Sequence, residues 1–593
     1  MRCFVAALAL GLAVGAAAAA EAPKTLKVAF PVAETGFDPA QINDIYSRTV
    51  TPHIFEGLYH YDHLARPAKI RPLTAAALPE ISEDFRSYTI RLQPGIYFAA
   101  DPAFKGAKRE LVAEDYVFSF KRFADPKLKS PVWTGLEQQG ISGLAALRRE
   151  ALDTKRPFDY DRPIEGLQAL DRYTLRIRLD KPRPRFTETL ATGDLFGAVA
   201  REVVEHYGDT IAAHPVGTGP FRLAQWRRSS LIVLERSPDF RELRYAAEPA
   251  PDDAEGQALL ARLKGRRLPI VDRVEVSIIN EQQPRWLAFL NAQIDLVNVP
   301  SEFIERATPG GKLAPNLAKQ GVRSWRVLQP DSTFIYFNME HPLVGGYSAD
   351  KVALRRAIGL AIDVEREIRT VWKGQAVPAQ SIVVPHTTGY DPAFKSEMGD
   401  FDPARAKALL DLYGYVDRDR DGWRDQPDGR PLVLEIATQP DQNSRQFDEL
   451  WQRNMNRLGL RLKFAPAQWP ENLKAGRAGK LMVWQLGSSA AAPDGQQSLW
   501  RLHGPQAGGQ NFARFARPEF DAIFDRMSVL PDGPERAALF VEAKRLAAVY
   551  MPYKVRVHRI LTDLAHPWVI GYRRPLFWQD QWQYIDVDDA GGR

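Results

Sequence analysis

The chain has 593 residues, of which 45% are hydrophobic and 26% are charged, so it is long enough to form several folded domains. Lys and Arg number 79 against 73 Asp and Glu, and the basic residues alternate with acids, as at 418–421, instead of forming blocks. This pattern is typical of a mixed, solvated surface and argues against nucleic-acid binding. Cys3 is the only cysteine, so the chain beyond it has no disulfide and no cysteine metal ligand.

The first twenty residues have the order of a secretory signal peptide. Arg2 is basic, residues 4–14 are apolar or glycine, and residues 16–20 are all alanine. A membrane anchor needs about 20 apolar residues with flanks suited to spanning, whereas a polar sequence follows here at once. We therefore expect residues 1–20 to be a cleaved signal peptide and the rest to be a soluble periplasmic protein.

Short segments with period-two alternation predict half-buried strands. The clearest are LRIRL at 175–179 and LRLKF at 460–464. Apolar runs at 231–234, 274–279 and 432–436 predict further strands. Strands are therefore expected along most of the chain.

Segments with the apolar spacing of amphipathic helices lie between these strands, and residues typical of helix ends flank them. Residues 403–413 follow a capping Asp402 and stop at a glycine, and residues 447–458 also stop at a glycine. Two further helices begin at Pro518 and Pro534, because proline suits the first helical turn. Strands alternating with helices predict a mixed α/β protein with more than one domain.

An acidic cluster after residue 416 has the spacing of a calcium-binding loop. With Asp417 as position one, oxygen ligands fall at positions one, three, five and nine, glycine at six and an acid at twelve. A strand follows instead of a second helix, so an Asp-rich turn leading into a hairpin is the alternative. No cofactor is expected to be required, and the candidate ligands of a structural calcium ion are Asp417, Asp419, Asp421 and Asp425.

A series of segments in a fixed order carries a family resemblance. They are ETGFDP (34–39), HIFEGLYHYD (53–62), YTIRLQPGIYF (88–98), AEDYVFSF (113–120), HPVGTGPF (214–221), AQID (292–295), FIYFN (334–338), LRRAI (354–358), AID (361–363) and VWQ (483–485). The chain resembles the family 5 extracellular solute-binding proteins of ABC transporters, the oligopeptide, dipeptide and nickel-binding group. The resemblance runs from residue 25 to the C-terminal region, and the combination of segments makes it specific.

This resemblance implies an α/β, two-lobed periplasmic binding protein, a type II-like clamshell with an extra subdomain inserted in the N-terminal lobe. Lobe I then comprises residues 21–65, 200–325 and 546–593, the inserted subdomain residues 66–199, and lobe II residues 326–545. The resemblance also implies a small-molecule or peptide ligand, a monomeric protein, and an ABC transporter permease in the inner membrane as partner.

Carried over by position, the resemblance assigns ligand contacts to both lobes. In the N-terminal segment they are Asn43, Ile45 and Tyr46. In lobe II the assigned residues are Tyr336, Asn338, Val483, Trp484, Gln485 and Gly487. For Trp484, ordinary packing in the core is the alternative to lining a pocket.

Gly487 departs from the family pattern. Peptide-binding members have an aspartate at this position, three residues after the tryptophan, and it pairs with the α-ammonium of the ligand. Because a buried ammonium without a charged partner is costly, the departure puts ordinary peptide binding in doubt and favours other solutes. Asp494 is the nearest acid downstream, and it can substitute only if its loop folds back.

Two other classes of function serve as alternatives. A secreted hydrolase with a dispersed catalytic set is one, although the sequence contains no Gly-x-Ser-x-Gly and no His-Glu-x-x-His. A calcium-stabilised adhesion module is another, although only one acidic loop is present. The solute-binding hypothesis predicts that the protein retains its ligand stoichiometrically and turns nothing over.

Overall fold

The computed structural model describes residues 23–577 and 580–588, so the predicted signal peptide lies outside the described residues. The strands are, in chain order, β1 (Thr25–Phe30), β2 (Tyr59–Tyr61), β3 (Ile70–Pro72), β4 (Glu80–Ile81), β5 (Ser87–Arg91), β6 (Leu167–Asp171), β7 (Thr174–Arg178), β8 (Phe221–Arg227), β9 (Leu231–Arg236), β10 (Arg273–Ile278), β11 (Leu296–Asn298), β12 (Arg323–Leu328), β13 (Asp331–Phe337), β14 (Ala376–Pro378), β15 (Val433–Thr438), β16 (Arg461–Pro466), β17 (Val483–Ser489), β18 (Tyr553–Ala565), β19 (Val569–Ile570) and β20 (Asp586–Val587).

Helices connect these strands throughout. The α-helices are α1 (Ile45–Val50), α2 (Ala113–Ala124), α3 (Trp133–Gln139), α4 (Leu144–Thr154), α5 (Phe186–Leu190), α6 (Gly193–Phe196), α7 (Arg201–Tyr207), α8 (Ala254–Leu263), α9 (Gln282–Leu290), α10 (Ile304–Ala307), α11 (Pro315–Lys319), α12 (Ala349–Leu360), α13 (Val364–Thr370), α14 (Pro403–Leu412), α15 (Gln442–Asn456), α16 (Trp469–Arg477), α17 (Gln496–Leu499), α18 (Pro518–Val529) and α19 (Pro534–Tyr550). No helix within residues 23–577 and 580–588 is long and apolar enough to cross a bilayer.

Lobe I is built from both ends of the chain. Its sheet has the order β1-β10-β9-β8, with β1 parallel to β10 and the other pairs antiparallel. Leu26, Ile232 and Val274 are fully buried, and they share one core with Val569 and Trp582 from the C-terminal segment. Segments near both ends of the described residues therefore share the core of this lobe.

A second, antiparallel sheet with the order β4-β5-β7-β6 forms the centre of the inserted subdomain. Its alternating Ile90 and Ile177 are buried in one core with Tyr116 and Phe120 of α2. Tyr116 donates a hydrogen bond to the carbonyl oxygen of Glu56 at 3.0 Å, so the subdomain is tied to the segment that precedes it.

Lobe II contains parallel pairs at its centre. β15 runs parallel to both β16 and β17, and β13 lies antiparallel between β17 and β18. Helices such as α12, α15 and α19 cover this sheet and supply much of its core. The carboxyl ends of β15 and β17 therefore open at the same edge, where the antiparallel β13 begins.

One strand belongs to both lobes. The first part of β18 pairs with β13, and its last part pairs with β12 and β11. Tyr553 and Val557 lie in the core of lobe II, whereas Ala565 lies in the core of lobe I. The residue limits given above for the lobes and the subdomain stay predictions.

The predicted secondary structure agrees with the structure at the elements named above. The five predicted strands correspond to β7, β9, β10, β15 and β16, and the four predicted helices to α14, α15, α18 and α19. Asp402 caps α14 by accepting a hydrogen bond from the backbone N–H of Arg405 at 2.9 Å, as its position before Pro403 predicts.

Trp484 is 1% exposed and lies between the rings of Tyr336, Phe512 and Trp469. Trp484→Ala is therefore expected to lower the free energy of unfolding by about 3–5 kcal/mol, because it leaves a large cavity in a packed core. Trp469→Ala is the matched control, since Trp469 is 41% exposed and should cost clearly less. Urea unfolding measures both, and equal losses would contradict the burial of Trp484.

Candidate ligand-binding site

A cavity of about 230 Å³ opens at the carboxyl edge of the lobe II sheet. In open α/β sheets ligands bind outside the carboxyl ends of the strands, so the position itself suggests a binding site. The cavity is lined by Thr333, Trp372, Ile436, Ala437, Thr438, Gln439, Asp441, Asn443, Ser444, Phe447, Asp448, Trp451, Trp469, Trp484, Gln485, Leu486, Gly487, Arg556 and Arg559.

Aromatic side chains form much of the cavity wall. Trp372 lies 5.6 Å from Phe447, and Trp469 lies 5.0 Å from Trp484, measured between ring centroids. Trp451 donates its indole N–H to Oε1 of Gln485 at 3.4 Å. Flat apolar surfaces with a few oriented polar groups are typical of pockets that bind small molecules.

Two arginines of the cavity are already neutralised by acids. Arg556 pairs with Glu367 at 2.7 Å, and Arg559 pairs with Asp331 at 2.8 Å. Asp448, from the middle of α15, accepts hydrogen bonds from the hydroxyl of Thr438 at 3.0 and 2.9 Å. Burial raises the pKa of Asp448 to about 6, helped by the nearby charge of Asp441 and opposed by the bond from Thr438.

Three of the predicted contact residues line this cavity: Trp484, Gln485 and Gly487. Gly487 is exposed, and a Cβ placed on it would lie 3.6 Å from the carbonyl oxygen of Ser332, which is ordinary contact. The cavity thus has room for a side chain where the family resemblance expects an acid. Val483 is buried beside these residues and does not line the cavity wall.

Tyr336 and Asn338 are engaged inside lobe II. Tyr336 is buried, with its ring 5.9 Å from that of Phe512. The side-chain amide of Asn338 donates to the carbonyl oxygens of Gly479 and Leu481 at 2.8 and 3.1 Å. Neither residue lines the cavity, and a ligand contact by either of them stays a prediction.

The three predicted residues of the N-terminal segment lie on lobe I. Asn43 is exposed, Ile45 is 53% exposed at the start of α1, and the ring of Tyr46 packs 5.2 Å from that of Phe30. The lining of the lobe II cavity contains none of them. Their approach to a ligand from the opposite lobe stays a prediction.

Asp494 joins lobe II to the inserted subdomain. Both of its carboxylate oxygens accept from Arg536 at 2.7 Å, and one also lies 2.6 Å from Nε of Arg185, just before α5. Arg536 is 1% exposed, so this cluster is desolvated. Asp494 is thus fully engaged by two guanidinium groups, and its loop does not offer a free carboxylate in place of the missing acid at Gly487.

A larger cavity, of about 300 Å³, lies elsewhere in lobe II beside Tyr390, Phe394 and His558. None of the residues that the sequence assigns to the ligand lines it. The smaller cavity is the better candidate for the ligand-binding site, because it lies at the carboxyl edge of the sheet and three of the assigned residues line it.

The acidic loop brings three of its four predicted ligands together. Carboxylate oxygens of Asp417, Asp419 and Asp425 lie within 4.8 Å of one another. Asp421 instead forms an ion pair with Arg461. Asp417 also accepts from the backbone N–H of Arg420 at 2.7 Å, a bond typical of the Asp-rich turn that was the alternative.

Comparison with known proteins agrees with the fold. The model of the bacterial extracellular solute-binding proteins, family 5, matches residues 69–510. Di/tripeptide-binding protein 2 of Pseudomonas aeruginosa is 27% identical over 95% of both chains, and heme-binding protein A of Haemophilus influenzae is 24% identical over 86% of this chain and 83% of that protein.

Two solved structures show the same architecture. The periplasmic binding protein DppA of Helicobacter pylori, in complex with the peptide STSA, has a TM-score of 0.71 at 22% identity and covers 95% of this chain and 98% of its own. NikA of Brucella suis, in complex with Fe(III)-EDTA, has a TM-score of 0.72 at 20% identity and covers 95% and 99%.

Two lobes joined by one shared strand, with an aromatic cavity at a sheet edge, define a binding protein of the two-lobed periplasmic class, and the predicted α/β fold is confirmed. The chain belongs to the family 5 bacterial extracellular solute-binding proteins. The solute-binding interpretation of the sequence is thereby confirmed, and the hydrolase alternative receives no support.

The contact between the subdomain and lobe II should weaken as the pH rises. Burial, together with the charge of Asp494, raises the pKa of Glu188 on α5 to about 8, although Arg185 opposes this shift. The folded contact favours the neutral form of Glu188. The free energy of unfolding should therefore decrease as the pH rises from the ordinary pKa of a glutamate to the raised pKa of about 8. Glu188→Gln removes this loss.

Differential scanning calorimetry tests this expectation. The melting temperature of Glu188→Gln should equal that of the wild type near about pH 4.5 and exceed it increasingly towards about pH 8.5. Glu165→Gln is the control, because Glu165 pairs with Arg178 on the surface of the subdomain. A constant difference across the pH range would show that Glu188 does not titrate in this window.

Proposed function

We propose that this protein is the soluble, monomeric periplasmic component of an ABC importer, and that it captures a peptide-like or other small polar solute for an inner-membrane permease. The cavity at the carboxyl edge of the lobe II sheet is the observation that carries this proposal. Family membership supports the solute-binding role, and a cleaved signal at residues 1–20 would deliver the protein to the periplasm.

The ligand class is wider than peptides alone. Relatives are named for di/tripeptides, for deoxycholate and for heme, so the family fold holds polar and apolar solutes alike. The aromatic wall of Trp372, Trp451 and Trp469 suits a solute with a substantial apolar surface. Gly487 leaves the cavity open where a larger side chain would shorten it.

The mechanism is non-covalent. Aromatic faces exclude water from the solute, polar groups such as Gln485 fix its orientation, and the lobes close about the strand they share. Closure then presents a surface that a permease distinguishes from the open form. No covalent step is required, so the protein should release its solute unchanged.

Protein purified without denaturation should carry a small molecule at close to one equivalent. Mass spectrometry after denaturation identifies it, and calorimetric titration of the stripped protein should recover its binding with no product formed. Turnover of the solute, or an absence of binding to the stripped and refolded protein, would contradict the proposal.

Filling the cavity should abolish this binding. Gly487→Phe places a ring in the cavity without a positive φ or a backbone clash, so we expect affinity for the co-purified solute to fall by more than about tenfold. Gly135→Phe is the matched control, because Gly135 of α3 has open space around its Cβ position and lies in the subdomain. Equal affinities of the two variants would place the ligand elsewhere.

We also propose that the loop from Asp417 to Asp425 holds a structural calcium ion through Asp417, Asp419 and Asp425. The proximity of these three carboxylates supports it, and the pairing of Asp421 with Arg461 makes the site weaker than four acids would. The ion would stabilise the loop and take no part in solute binding.

Calcium should therefore raise the melting temperature, and a chelator should lower it by mass action. Arg461→Ala frees Asp421 and should shift the calcium dependence to lower concentration, whereas Asp419→Asn should remove it. If calcium and chelator leave all three melting curves unchanged, the loop is only an Asp-rich turn.

A further inference from the structure

One partly buried carboxylate in the lobe II cavity has no cationic partner among the described residues. Among the described residues, Asp448 forms no ion pair, and its hydrogen bonds come from the hydroxyl of Thr438. The other acid of the cavity, Asp441, is exposed and caps α15 by accepting from the backbone N–H of Ser444 at 2.9 Å. Asp448 is therefore the acid of this cavity that is left for a ligand.

The cations of the same cavity do not compensate Asp448. Arg556 is committed to the buried Glu367, and Arg559 to Asp331. A partly buried carboxylate without a counter-charge is destabilised, and its pKa rises as a result. A ligand cation placed beside it would relieve this cost, so the cavity favours an ammonium over a neutral group.

The surroundings of Asp448 suit an ammonium attached to an apolar body. Phe447 precedes it on α15, and the indoles of Trp451 and Trp469 line the same cavity. Aromatic faces attract cations and exclude water from the pair. Thr333 also lines this cavity, and its buried hydroxyl has no hydrogen-bond partner among the described residues.

Thr333 lies opposite the strand position that has no acid in this chain. It pairs directly with Gly487 across β13 and β17, at the place where the family resemblance expects the ammonium partner. Gly487 supplies no side chain, whereas α15 supplies Asp448 to the same cavity. The carboxylate thus comes from a helix and not from the strand that carries the tryptophan.

We propose that Asp448 binds the ammonium group of the solute, and that the ligand is an amine or zwitterion with an apolar or aromatic side chain. This inference rests on the proposed solute-binding function and specifies the residue that recognises the charge. Asp448 acts by charge and hydrogen bonding alone, with no proton transfer.

Calorimetric titration with apolar dipeptides, each with a free and an acetylated amino terminus, tests the assignment. Wild-type protein should bind the free form at least about tenfold more tightly, as expected for hydrogen bonds to a charged group. Asp448→Asn keeps the shape of the side chain and should remove this preference while leaving the affinity for the acetylated form unchanged. Asp441→Asn retains the helix cap and should keep the preference.

The outcomes separate this assignment from the function on which it rests. If Asp448→Asn binds the free form as tightly as the wild type does, the assignment is wrong and the solute-binding function stands. If the wild type binds neither dipeptide form but still binds its co-purified solute, the ligand is not peptide-like. The assignment of Asp448 to an ammonium group is then wrong as well. Far-UV circular dichroism spectra that match the wild type establish that both variants fold, and Asp448→Asn should melt no lower than the wild type because it removes an uncompensated carboxylate.

Discussion

The whole arrangement depends on β18, a strand of 13 residues that pairs in both lobes. Its first half pairs with β13 and its last half with β12 and β11, so the two lobes are continuous through this strand. Polar groups hold this crossing in place: Asp331 accepts from the backbone and side chain of Arg559, and Thr562 donates to Gln375 at 2.6 Å. The crossing therefore fixes one side of each lobe.

Away from this crossing, lobe II and the inserted subdomain meet through a cluster of charges. Asp494 lies between Arg185 of the subdomain and Arg536 of lobe II, and Gln496 accepts from both arginines at 3.1 Å. Buried ion pairs of this kind contribute little net stability, but mismatched positions leave charges unpaired and are costly. A contact that is specific yet marginal suits the closing and reopening of the lobes that the proposed function requires.

The fold could be predicted from the sequence to a large extent, because its signals are local. Strands β7 and β16 follow from the alternation of apolar and polar residues at 175–179 and 460–464. The start of α14 follows from the capping Asp402 and from Pro403, so neither prediction needs tertiary information. The site could not be derived in this way. Trp372, Asp448, Gly487 and Arg556 come from four separate segments that meet only when the sheet has formed. The one local signal was an acid, Asp448, between Phe447 and Trp451 on a helix with an apolar face.

The central claim is that the solute is held at the carboxyl edge of the lobe II sheet. Hydrogen exchange with mass spectrometry tests it most directly, by comparing protein that carries its co-purified solute with stripped protein. With solute bound, we expect slower exchange in residues 436–448 and 483–489, together with the crossing at 556–560. Protection confined to residues 390–401 beside the larger cavity, or no difference between the two samples, would contradict it.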